Sequence, residues 1–193
     1  VRCTSAAFPI QPCGNYADGE TEDYNVTIVS NSGSTCFPIS TYGNLDGDFI
    51  KSVIGGSINN INSGLIGTVS YHDYPNQVLI TTPNSNVDFQ VVSGNRVSID
   101  QGTFYAIWVD WNNNNQFELN EKIGEQEADA GSPNETLHFT LNVPINQASG
   151  MYRIRVRSAF GLGLNGSNMN PCSLYSFGET QDYRLMVVAN SNY

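Results

Sequence analysis

Lysine is nearly missing from this 193-residue sequence. There are two, Lys51 and Lys122, beside six arginines, and charged residues make up only 13% of the chain. The formal net charge is nevertheless −10. A chain that acidic repels nucleic acid and anionic membrane surfaces, so neither is expected as a partner. No run of like charge marks a tail. No stretch of 18 apolar residues occurs, so no segment reads as a membrane-spanning helix and no membrane insertion is expected. No charged-then-apolar leader precedes Val1, which places any signal peptide outside this stretch. The four cysteines form no CxxC pair, and only His72 and His138 could join them, so a zinc site is not expected. HExxH, GxSxG and a phosphate-binding glycine loop are all missing, which argues against an enzyme.

What is abundant is Asn, Ser, Thr and Gly, with ten tyrosines and nine phenylalanines. That mixture reads as β-rich and extracellular, hence secreted or on a bacterial cell surface. An even cysteine count in an acidic, lysine-poor chain favours disulfides and an oxidising compartment. Period-2 alternation predicts strands over 24–29, 87–92, 103–111, 137–143, 151–158 and 182–188. Weaker candidates lie at 52–60, 67–74 and 76–81. Turn signals such as "NSGS", "NLDGD", "TPNSN" and "NNNN" separate them. No convincing helix is found; a helical turn fits best within 119–129. Many short strands with frequent turns predict an all-β chain, an antiparallel β-sandwich with long loops.

The hexapeptide "GETEDY" (19–24) returns as "GETQDY" (178–183). Gly19 and Gly178 are offset by 159 residues (178 − 19), and Cys13 and Cys172 by the same amount (172 − 13). "VRC" at 1–3 resembles "VRS" at 156–158. The expected organisation is therefore residues 1–30 as the tail of a preceding tandem repeat, and 31–193 as one complete domain, with "NSGST" as linker. Alternatively, residues 1–30 dock as an extra strand on a sandwich edge, even that of a neighbouring molecule. Cys36 and Cys172 both lie inside the full unit and could close it end to end, which leaves Cys3 and Cys13 for each other; four cysteines allow three pairings.

The strongest chemical signal is "DWNNNNQFELNE" (110–121). Numbered as a twelve-residue calcium loop, it puts Asp110, Asn112, Asn114, Gln116 (through its carbonyl), Glu118 and Glu121 at the ligating positions. Asn115 stands at the sixth position, where glycine usually makes the sharp turn, and Asn tolerates positive φ better than most residues. Phe117 offers an apolar anchor. The flanks read as strand, so this is a calcium loop on a β scaffold. The competing reading is an Asn-rich hairpin turn without an ion. In "NLDGDF" (44–49), Asp46 and Asp48 read as turn residues rather than ligands.

Three stretches together resemble the GEVED domain family of secreted bacterial proteins, many from Bacteroidetes: "GETQDY" and "GETEDY", the "DWN" turn within 105–125, and the leading half over 36–74. Thr180 and Gln181 depart from the commoner Val and Glu. The resemblance implies a β-sandwich module of large exported proteins, among them adhesins and secreted proteases, with no catalysis by the module itself.

Within GETQDY, Glu179 and Asp182 are expected to pair with arginines of "YRIRVR" (152–157), Arg153 and Arg155 among them, and to pin the last strand. The same carboxylates could instead hold a cation. His72 beside Asp73 reads as ordinary surface, and His138 as packing. Trp108 and Trp111, three apart on a strand, should face opposite sides. Trp111 and Tyr74 are candidates for stacking on a sugar ring. Sequons stand at Asn25, Asn134 and Asn165. Three functions compete: a calcium-dependent module that binds glycans or a surface protein, a structural repeat of a long fibre with neighbouring repeats as partners, and an accessory domain of a secreted hydrolase.

Overall fold

The protein's structure, a computed structural model, describes residues 2–5, 13, 15, 17–21, 36–64, 66–94, 102–161, 164 and 168–189. The strand expected over 24–29, the linker, and the sequons at Asn25 and Asn165 lie outside the described residues. The chain divides into two compact units, Val1–Asn31 and Ser32–Tyr193. In the first, β1 (Arg2–Thr4) pairs antiparallel with β2 (Gly19–Thr21).

The second unit is two packed sheets. Its strands are β3 (Ile50–Gly55), β4 (Ile58–Ile61), β5 (Tyr71–Thr81), β6 (Asn86–Ser93), β7 (Thr103–Val109), β8 (Lys122–Ala128), β9 (Thr136–Asn142), β10 (Gly150–Ala159) and β11 (Thr180–Val187). One sheet has the order β5-β11-β10-β7-β8 and the other β4-β3-β6-β9. The main core lies between them, where Leu79, Phe89, Ile107, Leu141, Ile154 and Leu185 are fully buried. Alternation does the sorting: β9 reads exposed-buried without a break, so its apolar residues all reach the core.

Three details depart from expectation. The sheet is mixed, because β5 runs parallel to β11. The weak candidates 67–74 and 76–81 are one strand, β5, and its pairing with β11 shifts register between Asp182 and Arg184. The stretch 52–60 is a hairpin, β3–β4, turned at Gly56 and Ser57. Helical structure among the described residues is a single 3-10 turn, Leu119–Glu121.

Strand β7 is buried at every residue, so both its faces are covered. Tyr105, Ile107 and Val109 face the other sheet, while Phe104, Ala106 and Trp108 join Phe117, Ala159 and Met169 in a second cluster on the outer face. The abundance of asparagine has a backbone cause. Among the described residues, the non-glycine residues with positive φ are Asn62, Asn84, Asn113, Asn115 and Asn134, all in turns or loops. Asn tolerates that region because its short side chain can hydrogen-bond locally.

Candidate functional site

The outer face of the larger sheet carries an arginine ladder. Arg153, Arg155 and Arg157 share one side of β10, and Arg155 and Arg157 are fully buried. On β11, Asp182 stands across from Arg155 and Thr180 across from Arg157. Asp182 accepts from Arg155 Nε (2.8 Å) and Nη2 (2.8 Å), from Arg153 Nη2 (2.6 Å) and from the Tyr71 hydroxyl (2.8 Å). Burial, with the Asp182 charge beside it, pushes Tyr71 up to about 12. The remaining guanidinium donors hold irregular chain in place. Arg155 Nη1 donates to Pro171 O at 3.0 Å and Nη2 to Cys36 O at 2.9 Å. Arg157 donates to Asn170 O, Ser173 O and Thr180 Oγ1. The Cys36–Cys172 disulfide sits beside the ladder, with Cys36 Sγ 2.9 Å from Arg155 Nη1. The face is closed by rings: Phe117 lies 4.5 Å from the Arg155 guanidinium and Tyr175 lies 4.6 Å from that of Arg157.

The expected pairing of Glu179 with these arginines is corrected. Positions 180 and 182 face the ladder, so 179, 181 and 183 face the other sheet. There Glu179 Oε2 accepts from Ile50 N (2.8 Å) and Oε1 from Gln181 Nε2 (2.8 Å). Gln181 Oε1 in turn accepts from the Tyr183 hydroxyl (2.5 Å) and from Ser63 Oγ (3.0 Å). Burial pushes Glu179 up to about 7. His72, one-third exposed, brings Nε2 to 3.5 Å from Glu179 Oε1. Burial pulls His72 down, so at neutral pH it stands there without charge. Asp73 faces away from this network and makes a two-point contact with Arg184, at 2.8 and 2.9 Å.

The 110–121 loop leaves β7 at the far side of the ladder. Its two ends close on the backbone. Asp110, fully buried, accepts from Asn114 N (3.0 Å) and Asn115 N (2.9 Å). Glu121 accepts from Trp111 N (2.9 Å), Asn112 N (3.3 Å) and Glu118 N (3.0 Å). Asn113 and Asn115 make the sharp turns, with φ of 55 and 65. Asn112 Oδ1 accepts from Asn114 N and Asn114 Oδ1 from Gln116 N, while both side-chain amides donate to the Glu118 carboxylate. Burial, and a hydrogen bond to Glu118, push Glu121 up to about 7. Glu118 is held below its ordinary value, chiefly by that same hydrogen bond.

These oxygens suit calcium in kind: three carboxylates and two amide carbonyls on twelve residues. Their placement is another matter. Among the described residues, no group of three or more His, Cys, Asp or Glu side chains is arranged to hold a metal ion. As they stand, Asp110 and Glu121 organise backbone N–H groups, and Glu118 faces amide nitrogens rather than amide oxygens.

The aromatic candidates separate. Trp108 is fully buried in the outer cluster, and Trp111, half-buried, packs on the inter-sheet core against Tyr152, so the two face opposite sides. Tyr74 is stacked between Tyr183 and His72, with its hydroxyl donating to Ser63 O. Its ring serves packing. Sequence reasoning missed exposed apolar residues in the loops outside the strands, among them Phe37 (66% exposed), Tyr42 (56%) and Leu174 (65%). Phe37, Tyr42 and Leu174 lie in segments with no clear period, which is why no pattern flagged them. His138 is on the surface beside Asp88 (3.2 Å), not in packing. Asn134 sits in an exposed turn and accepts from Lys51 Nζ. Asp48 is buried and accepts from Thr103 Oγ1, in line with a turn role for 44–49.

Residues 104–186 match the family model of the GEVED domain. The matched span runs from β7 through the 110–121 loop and the ladder to the penultimate residue of β11. No curated protein matches the chain.

Proposed function

We propose that this chain, whose residues 104–186 match the GEVED domain, is a non-catalytic module of a secreted or cell-surface bacterial protein. In this reading the 110–121 loop takes up calcium, and the module holds a surface partner for adhesion. What supports it is the register of 110–121, which puts Asp110, Asn112, Asn114, Gln116, Glu118 and Glu121 at the ligating positions of a twelve-residue calcium loop. Glu118 already reaches both asparagine side chains. The flexible coordination of calcium tolerates such a mixed set of carboxylates and amide oxygens. Turning the Asn112 and Asn114 amides would present oxygen in place of nitrogen.

The partner is better sought at exposed apolar side chains such as Phe37, Tyr42 and Leu174 than on Tyr74, whose ring is already covered.

The test is calorimetric titration of the chelator-treated chain with calcium chloride, beside thermal unfolding with and without the ion. Binding in the micromolar-to-millimolar range is expected, as for sites in external fluid. Glu118→Gln should weaken it while the loop survives, because Asp110 and Glu121, which accept from the loop's backbone N–H groups, are left in place. No heat and no rise in Tm at several millimolar calcium would refute the calcium reading. A glycan array run in parallel, with and without chelator, separates a lectin from a protein-binding module.

A further inference from the structure

Hairpin β1–β2 repeats the register of the end of hairpin β10–β11. Arg2 stands across from Thr21, Cys3 from Glu20 and Thr4 from Gly19. In the sandwich, Arg157 stands across from Thr180. One step on, Ser158 and Glu179 exchange backbone hydrogen bonds, N to O at 2.9 and 3.3 Å. The glycines agree as well. Gly19 has φ +141, and a Cβ there would stand 2.2 Å from Cys3 O; Gly178 has φ +133, and a Cβ there would stand 2.2 Å from Ser158 O. A short strand selected only for β propensity needs no glycine in that conformation backed against its partner's carbonyl. The environments differ completely. Glu179 and Thr180 are 1% exposed, whereas Glu20 and Thr21 are exposed.

We infer that Val1–Asn31 is the closing hairpin of a second copy of this sandwich, and that the surface it fits is the rest of that copy. A strand like β7 belongs beside β1, and a strand like β5 belongs beside β2, running parallel to it, because those are the neighbours of β10 and β11. The cysteines follow from the same correspondence. Cys13 is the counterpart of Cys172, so its partner is the counterpart of Cys36, which stands 136 residues earlier in the complete unit. That partner precedes Val1. Closing the bond takes two protons and two electrons from the two thiols, passed to a disulfide oxidant of the compartment in which the chain folds. Cys3 takes the place of Ser158, which is 1% exposed with Oγ donating to Asp48 O. It faces the core side, opposite the side on which the ladder and its disulfide lie. The expected Cys3–Cys13 pairing is corrected accordingly: both are exposed free thiols here, at positions whose counterparts lie on opposite faces of one sheet.

The test compares the 193-residue chain with the natural chain extended upstream through its preceding 140 or so residues. Each is pulse-alkylated under native conditions, digested without reduction, and mapped by mass spectrometry. In the short chain, Cys3 and Cys13 should both alkylate rapidly. In the extended chain, Cys13 should be joined to an upstream cysteine, and Cys3 should react on the order of 100-fold more slowly, since only opening of the new core exposes it. A Cys3–Cys13 disulfide in either chain would overturn the inference. So would a Cys13 thiol still free in the extended chain, or equal Cys3 reactivity in both. Hydrogen exchange gives a further check. Gly19–Thr21 amides already protected in the short chain at high concentration would mean that the hairpin docks on a neighbouring molecule, which also overturns it.

Discussion

Replacing Asp182 with alanine tests whether the ladder acts through burial. Asp182 and Asp73 make nearly the same two-point contact with an arginine, at 2.8 and 2.8 Å for Arg155 and 2.8 and 2.9 Å for Arg184. Their surroundings differ. Both side chains of the Arg155–Asp182 pair are 0% exposed, while those of Arg184 and Asp73 are 21% and 40% exposed. Removing Asp182 strands the Arg155 charge in the interior and takes an acceptor from Arg153 and Tyr71. Breaking a buried pair from one side costs about 3–5 kcal/mol. Removing Asp73 frees an arginine that water can reach, which costs under about 1 kcal/mol. For a unit of this size each kcal/mol moves Tm by roughly 2–4 °C. Asp182→Ala should therefore lower Tm by about 6–20 °C and Asp73→Ala by less than about 4 °C. Thermal unfolding by circular dichroism, with the disulfide intact, reads both. Equal losses in the two variants would refute the reasoning, because geometry alone would then set the strength of the pair.

Glu179 gives a pH signature. Its folded pKa is raised to about 7 from an ordinary 4.5, so between those values the folded state keeps a proton that the unfolded state has lost. This contribution is full below the unfolded value, falls as pH rises to about 7, and is level above it. Glu179→Gln should remove roughly 3 kcal/mol of that decline, seen as a smaller difference between denaturant midpoints at pH 5 and pH 8. An unchanged slope would show that the proton is held elsewhere. Gly178→Ala should cost about 2–4 kcal/mol, from positive φ and collision with Ser158 O. Gly67→Ala, where an added Cβ meets nothing within 4 Å, should be nearly neutral by the same denaturation assay. Phe117→Ala empties a buried position against Arg155, and should cost about 3–5 kcal/mol and loosen the 110–121 loop in hydrogen exchange.

The parts of this fold that follow a simple period were legible in the sequence. Strands β6, β9, β10 and β11 alternate cleanly, and the match of Asp182 to Arg155 follows from two strands with like-facing residues. The Glu179 pairing failed for want of the same count: from Asp182 it is three residues away, an odd step, and therefore on the other face. Strand β7 carries a different signal, the unbroken run "TFYAIWV", which marks a strand covered on both faces rather than one half-exposed. The parallel partnership of β5 and β11 has no local signature, because residues some hundred positions apart meet only when the sheet closes. The 110–121 loop was legible in its register, with asparagine at the turning positions. The use its carboxylates make of backbone N–H groups was not, since ligand spacing and loop-closing spacing draw on the same residues.

This bears on what a recurring motif can mean. GETQDY serves three ends at once: glycine for a conformation closed to other residues, Glu179 and Gln181 for the polar network between the sheets, and Asp182 for the ladder. Each end is met inside the module, and the residues concerned are buried. A substitution here is therefore felt as lost stability before it is felt as lost binding. Selectivity for a partner has to come from groups that the fold leaves free to vary, and the exposed candidates lie elsewhere, in the 110–121 loop and among exposed apolar side chains such as Phe37 and Leu174. The motif identifies the scaffold; what the module holds is set by loops that the motif does not reach.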